Sequence, residues 1–308
     1  MHENIKKSGS TAYQKIDKVL AQYEWYQQYK AGKISREHYL AHILSHQQEL
    51  FDKGLNEDQL HLSSRLPLSS DAFVAKVLQS LYDAQTIPAI SYPVEEFHAY
   101  FQEVEASFLH DGYTTYIFPE EAQLIFALTH IMQPKRMLFL GSYYGYWAAW
   151  AIPALKKYHG EAYLLDIDSQ VLDLSKINMQ HLGGHQQMHY VCGDAIEFCQ
   201  RERLEHDFIV LDAEGPKTGP DPDLLDKAIY YPMLEAATHS LTESGSVLFH
   251  NILLNNPIAD TYFENKINDN FNQFRKLLPF IEQNFTHWSH YDSTEGVGFA
   301  GCKRGKQK

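Results

Sequence analysis

Cysteine is scarce in this chain, and its basic residues are outnumbered. The 308 residues include only three cysteines, Cys192, Cys199 and Cys302, with no CxxC spacing. An odd, scattered set supports neither a disulfide framework nor a thiolate metal site. Lysine and arginine total 26 against 39 acidic residues, a formal net charge of −13. That balance argues against a nucleic-acid partner, which needs a basic footprint. No apolar run approaches the roughly 18 residues of a membrane helix, and the first 20 residues hold no apolar signal segment. The expectation is a cytoplasmic chain without a membrane partner. A G-x-G-x-x-G fingerprint is missing too. The stretch that could hold one reads Gly141-Ser142-Tyr143-Tyr144-Gly145-Tyr146, with Tyr143 where a second glycine would let the backbone approach a pyrophosphate.

What is present is a regular alternation of apolar runs and helical patterns from Pro119 onward. Met137 to Leu140 is a short apolar run suited to a buried parallel strand, and it stops at the glycine turn before a helical pattern begins. Ala162 to Leu165 ends in Asp166, Gln186 to Val191 leads to Gly193-Asp194-Ala195, and Phe208 to Leu211 ends in Asp212. Ser246 to Phe249 ends at His250-Asn251, a helix is expected from about Asp260 to Gln283, and the runs Phe285 to Tyr291 and Val297 to Cys302 close the chain. Helices between the strands and a final hairpin predict a doubly wound, mostly parallel seven-stranded α/β sheet. Ligands bind such sheets at the carboxyl ends of the strands. Gly141, Asp166, Asp194, Asp212 and His250 should therefore meet at one edge. Carboxylates at strand ends suit a ribose diol and an adenine amine, so a nucleoside without phosphates fits better than a dinucleotide.

Residues 1–110 read differently, as an all-helical N-terminal region preceding an α/β domain of 111–308. Four amphipathic helices are expected. The first carries Ile16, Val19, Leu20, Tyr23 and Tyr26, and the second follows a cap at Ser35 with Leu40, Ile43, Leu44, Leu50 and Phe51. The third follows Ser69-Ser70-Asp71, the fourth follows Pro93, and His110 to Phe118 forms the joint. Such short helices cannot bury all their aromatic rings among themselves, so they should cover the pocket of the α/β domain or pair two copies as a homodimer. His38, His42 and His46 recur every four residues with Glu49 one turn on. They flank the apolar stripe and read as helix-surface residues.

The motifs Leu140-Gly141-Ser142-Tyr143-Tyr144-Gly145-Tyr146, Leu165-Asp166-Ile167-Asp168, Gly193-Asp194-Ala195 and Ile209-Val210-Leu211-Asp212-Ala213-Glu214 resemble, in order, those of class I S-adenosylmethionine-dependent methyltransferases. The nearest resemblance is to the O-methyltransferase group that includes the catechol and caffeoyl-coenzyme A enzymes. It extends over about Phe118 to Arg304, including Glu295-Gly296-Val297-Gly298-Phe299 in the last hairpin, and leaves out the helical N-terminal region. It implies a Rossmann-like methyltransferase fold with S-adenosylmethionine as cofactor. Gly141, Tyr143 and Gly145 would wrap its methionine end, Asp166 would bind the ribose hydroxyls, and Asp194 with Ala195 would meet the adenine. Ile167, Asp212 and Glu214 belong to the same motifs and are expected beside the cofactor.

The resemblance also implies a divalent metal at Asp212, His250 and Asn251, with an imidazole where the group has a carboxylate. That substitution favours Mn²⁺, Fe²⁺ or Zn²⁺ over Mg²⁺. The group's lysine, three residues beyond the first metal aspartate, falls on Gly215; the nearest lysine is Lys217, and Trp147 stands where a small hydroxyl residue is usual. The reaction implied is in-line transfer of the sulfonium methyl to a phenol or enol oxygen of a small molecule, with Asp212 and His250 as catalytic residues. A metal would lower the pKa of the acceptor; without one, His250 would act as general base. Tyr113, Tyr116, Tyr143, Tyr144, Trp147 and Trp288 could line an aromatic acceptor pocket. Two alternatives stand beside this reading. One is an aminocarboxypropyl transfer of the kind catalysed by nicotianamine-synthase-like enzymes, which the Phe139 to Ser142 strand end, the Asp166-Ile167-Asp168 run and the helical N-terminal region also resemble. The other is a non-catalytic cofactor-binding or scaffolding protein.

Overall fold

Two parallel registers bring the site together. In the computed structural model, which describes residues 9–201, 203–255 and 261–303, β1 (Arg136–Leu140) lies between β2 (Glu161–Asp166) and β4 (His206–Leu211). Leu140 pairs with both Leu165 and Leu211, so Gly141, Asp166 and Asp212 emerge side by side at the carboxyl edge. On one flank β3 (Met188–Cys192) pairs with β2, and on the other β5 (Leu241–His250) pairs with β4. Leu211 opposite Phe249 makes Asp212 and His250 neighbours. The hairpin of β6 (Phe285–Tyr291) and β7 (Val297–Lys303) completes a seven-stranded sheet of order β3-β2-β1-β4-β5-β7-β6, with β7 antiparallel to its neighbours. This is the doubly wound, mostly parallel sheet expected. β1 and β4 are buried on both faces, which is why their sequences are continuous apolar runs rather than alternating ones.

Some boundaries differ from the sequence expectation. Gln186 and Gln187 lie in a 3-10 turn ahead of β3. β5 begins at Leu241, because Leu241 pairs with His206 across a register irregularity that the Glu243-Ser244-Gly245 turn signal disguises. The single helix expected near the C-terminal end is two, Thr261–Gln273 and Leu277–Asn284. Pro279 supplies no N–H for the Arg275 carbonyl, so a continuous helix cannot pass and a new one starts with proline in its first turn. Asp260, the expected start, lies outside the described residues, as do residues 1–8, Arg304 and the side chain of Cys302.

Among its described residues the N-terminal region holds seven helices rather than four. In chain order, α1 to α7 span Ala12–Leu20, Glu24–Lys30, Arg36–Ser45, Gln47–Asp52, Glu57–Arg65, Ser70–Asp83 and Val94–Ser107. Ser35 caps α3 as read, and Ser69 caps α6, which takes in Ser70 and Asp71. The helix missed altogether, α5, has a capping box from Asn56 and Gln59, but its buried face includes His61, Ser63, Ser64 and Arg65, so it carries no apolar period. Apolar packing splits this region. Helices α1 to α5 build their own cluster around Tyr26, Tyr29, Tyr39 and Leu62, closed by Phe118. By contrast α6 and α7 join the main core, where Phe97 and Tyr100 meet Trp150. Next in the chain, α8 (Pro119–Met132) is buried along nearly its whole length between these layers and the sheet. No helix among the described residues is long and apolar enough to cross a membrane.

Candidate active site

The glycine turn after β1 is shaped by contacts that leave no room for side chains. Gly141 has φ +79°, and a Cβ there would lie 2.4 Å from Ala213 Cα. Gly145, with φ +85°, would press a Cβ to 2.3 Å from Ser175 Oγ. Between them Tyr143 is also left-handed, with φ +49°, a costly conformation for a bulky residue. Its N–H donates to Asp166 Oδ2 at 2.8 Å while the Asp168 N–H donates to Oδ1 at 3.0 Å. Burial raises the pKa of Asp166, partly offset by these two donors.

A cavity of about 800 Å³ opens along this edge, a size suited to a nucleoside and a small second molecule. Its lining includes every cofactor position expected from sequence: Gly141, Tyr143, Asp166, Ile167, Asp194, Ala195, Asp212 and Glu214, except Gly145, which lies behind the turn. Asp194 is held by the Glu197 N–H at 2.9 Å, just ahead of the helix Ala195–Arg201. Ile167 is 77% exposed, a large aliphatic side chain on the rim opposite Ala195 and Ile196. Thr114, Thr115, Tyr116 and Ile117, from the joint ahead of α8, form the facing wall. Thr115 is tied to the N-terminal helices, since its carbonyl accepts from Ala12 N–H at 2.9 Å. Of the six aromatic residues expected around an acceptor, only Tyr116 and Tyr143 line this cavity. Tyr144 is core, Tyr113 stacks on it, Trp147 packs on His250, and Trp288 packs on Phe249.

At the far end Asp212 and His250 meet as the strand register requires. The His250 ring is clamped, with Nδ1 3.1 Å from Asp212 Oδ1 and Nε2 3.1 Å from Glu121 Oε2. Burial alone would lower the pKa of this imidazole, but the carboxylates of Asp212 and Glu121 reverse that and push it up to about 10. Burial likewise raises Asp212, yet His250 and Lys227 outweigh it and hold the carboxyl below its usual range. Lys227, unsuspected from sequence, is buried with its ammonium 3.0 Å from the Ala213 carbonyl and 3.6 Å from Asp212 Oδ1. Asp212 keeps 26% of its side chain exposed. Lys217 does not reach the site as a free amine, because it pairs with Glu214 and, at 3.1 Å, with Asp226.

This arrangement does not fit a divalent metal on Asp212, His250 and Asn251. Both imidazole nitrogens face carboxylates as donors, so neither presents a lone pair, and Asp212 already balances two cationic groups. Among the described residues no cluster of three His, Cys, Asp or Glu side chains could hold a metal ion. A general-base role for His250 meets the same objection, since a ring raised to about 10 is charged and has no proton-accepting nitrogen at neutral pH. The residues do fit a nucleoside, through the close-packed glycine turn and the acids that end β2 and follow β3. His42 and His46, on α3, pack against Trp25.

The residues missed from sequence are set in the site by partners distant in the chain, such as His250 for Glu121 and Asp212 for Lys227. Glu121 reads as an ordinary acidic residue in a first helical turn. It is fully buried and accepts from Phe118 N–H at 2.8 Å, Ser293 Oγ at 2.6 Å and Glu295 N–H at 3.0 Å besides facing His250. Beside it Glu120, raised to about 7 by burial and by Glu121, accepts from Thr294 N–H at 2.9 Å.

Sheet order, glycine turn and strand-end acids together define the fold of the class I S-adenosylmethionine-dependent transferases. A methyltransferase from Podospora anserina, PaMTH1, solved with S-adenosylhomocysteine, superposes with a TM-score of 0.52 at 15% identity over 78% of this chain and 98% of that one. O-methyltransferases from Streptomyces achromogenes (TomG) and Bacillus cereus give TM-scores of 0.47 and 0.46 at 13% and 16% identity, over 73% and 76% of this chain and 95% and 100% of theirs. No curated protein sequence matches the chain. The family model described as spermine/spermidine synthase domain matches residues 126–287, more than half of the chain, and the chain belongs to that family.

Proposed function

We propose that this chain is an S-adenosylmethionine-dependent methyltransferase that alkylates an oxygen, phenol or enol, of a small molecule. The observation that carries this reading is the shared edge where the Gly141 turn, Asp166 and Asp212 border one cavity of about 800 Å³. When bound, S-adenosylmethionine supplies an electrophilic methyl on a cationic sulfur and leaves as S-adenosylhomocysteine. Asp166 accepts from the ribose hydroxyls with the oxygen lone pairs left after its two backbone bonds. Ala195, Ile196 and Ile167 offer apolar surface to the base, and Asp194 accepts from its amine. Asp212, through its exposed part, accepts a hydrogen bond from the acceptor hydroxyl and aims that oxygen along the line of transfer. The His250 imidazolium and Lys227 hold the other side of the carboxylate. In this reading residues 111–308 form the cofactor-binding domain and residues 1–110 the helical region that backs its wall. No metal takes part in it.

A second reading is favoured by the family match and by the charge of the cavity. Its lining holds Asp166, Asp194, Asp212 and Glu214, while Lys227 and His250 are already paired. The turn amides of residues 141, 142, 143 and 145 are all spent internally, so the turn offers little to a donor carboxylate. An aminopropyl or aminocarboxypropyl transfer from the same sulfonium nucleoside would suit such an acidic site. Incubating the protein with S-adenosylmethionine or its decarboxylated form and a panel of phenols, enols and amines separates the readings by mass. S-adenosylhomocysteine supports methyl transfer, methylthioadenosine supports the second reading, and tight donor binding without either product supports a non-catalytic protein.

A further inference from the structure

We propose that Glu121 is a positioning residue for the reacting end of the cavity, anchored by Arg65 of the N-terminal helices. The proposal rests on the reading that Asp212 aims the acceptor, and it adds two residues remote from the cavity lining. Glu121 is fully buried, yet one carboxylate joins three separate segments. Oε2 accepts from Phe118 N–H at 2.8 Å, at the end of the joint that carries Thr114 to Ile117, and lies 3.1 Å from His250 Nε2. Oε1 accepts from Ser293 Oγ at 2.6 Å and Glu295 N–H at 3.0 Å, both in the turn between β6 and β7.

Arg65, at the end of α5, reaches across to that same turn. It is 1% exposed, and its Nε and Nη2 donate to the carbonyls of Thr294 and Ser293 at 2.9 and 3.2 Å. A guanidinium fork that closes on two successive carbonyls fixes the turn in both distance and direction. The chain of contacts therefore runs Arg65, the 293–295 turn, Glu121, His250, Asp212, with each link a direct hydrogen bond. Its consequence is geometric. His250 takes Asp212 Oδ1 only while Glu121 holds the opposite ring nitrogen, and a ring released on that side can turn about its side-chain bonds and carry Asp212 with it. Glu121 is outside the cavity lining and reaches Asp212 through His250.

Glu121→Gln keeps the size of the side chain but places an amide donor among groups that need acceptors. Arg65→Lys keeps the charge but loses the rigid planar fork that sets the direction of the turn. Each should fold, checked by thermal melting, and should bind S-adenosylhomocysteine with a calorimetric Kd within about twofold of wild type, since neither lines the cavity. Glu121→Gln should lower kcat about a hundredfold with donor KM little changed, as expected for a small misplacement of a reacting group. Arg65→Lys should lower kcat in the same way by a smaller factor. The double variant Glu121→Gln, His250→Asn should be no slower than His250→Asn alone, because the two act in series. Nitrogen-15 spectra of histidine-labelled protein supply a readout free of turnover: wild type should show both His250 ring N–H signals in strong hydrogen bonds, and Glu121→Gln should lose one. A wild-type kcat in Glu121→Gln, multiplicative losses in the double variant, or unchanged ring signals overturns the proposal. If no acceptor is turned over at all, the functional reading fails instead, and the ring signals still decide the clamp.

Discussion

The backbone N–H of Tyr143 lies 2.8 Å from Oδ2 of Asp166. Turn and carboxylate are thus one unit: the acid that ends β2 holds a non-glycine residue at φ +49°, and the turn in exchange fixes where that acid points. A left-handed tyrosine costs energy that only surrounding contacts can offset. Binding and backbone shape are therefore linked at this position.

Asp166→Ala should weaken S-adenosylhomocysteine binding by about 2–3 kcal/mol through loss of a charged acceptor, or roughly 30- to 150-fold in Kd. Asp166→Asn, which retains one accepting oxygen for the Tyr143 N–H, should lose less. Calorimetric titration decides, and equal affinity in the alanine variant and wild type would remove Asp166 from the cofactor site.

Gly141→Ala tests the turn itself. The new Cβ meets the backbone of the Asp212-Ala213 segment, which cannot swing aside as a side chain could. Forced contact of this kind costs about 1–3 kcal/mol, and the left-handed φ adds roughly 1–2 kcal/mol. The urea midpoint should fall accordingly, and donor affinity should fall with it because Asp212 follows the displaced strand end. An unchanged midpoint would show that the turn relaxes freely.

Much of this edge was readable in the sequence, and the reasons lie in particular residues. Met137 to Leu140 and Phe208 to Leu211 are apolar throughout because both faces of the sheet are covered, and each stops at the residue that enters the cavity. What could not be read was whatever depends on contacts across the chain. Lys227 lies in a 3-10 turn with no period to mark it. Arg65 meets Thr294 across 229 positions of sequence. Glu121 looks like a charge favoured by a helix start. The same limit explains the metal expectation at Asp212, His250 and Asn251: three donor-type residues at strand ends suggest a ligand set until Glu121 is seen on the second nitrogen of His250.

Two histidines, His250 buried and His110 half-buried, predict opposite pH dependences of stability. His250 has a folded pKa of about 10 against an ordinary 6.5, so its stabilisation is fully present below 6.5 and is lost as pH rises through about 10. His110 is lowered by burial to about 4, so its contribution is present above 6.5 and is lost as pH falls through about 4. Urea midpoints measured from pH 4 to 10.5 should therefore decline at both ends. His250→Asn should flatten the alkaline limb and His110→Asn the acid limb, and a variant that leaves its own limb unchanged removes that histidine as the cause.

Metal removal gives the remaining test. For His250 to ligate a cation it must surrender a proton held by two carboxylates, and Asp212 must exchange Lys227 and the imidazolium for the ion. Breaking that arrangement leaves the fully buried Glu121 carboxylate without the imidazolium that balances its charge, which is costly. Activity should therefore persist after exhaustive treatment with a chelator, and adding Mn²⁺, Fe²⁺ or Zn²⁺ should not raise it. Thermal melting should show no stabilisation by these ions, whereas binding to the native state would raise the midpoint with concentration. Activity abolished by chelation and restored by one of the three, with a matching rise in melting temperature, would mean that the His250 ring turns out of its clamp in the working enzyme.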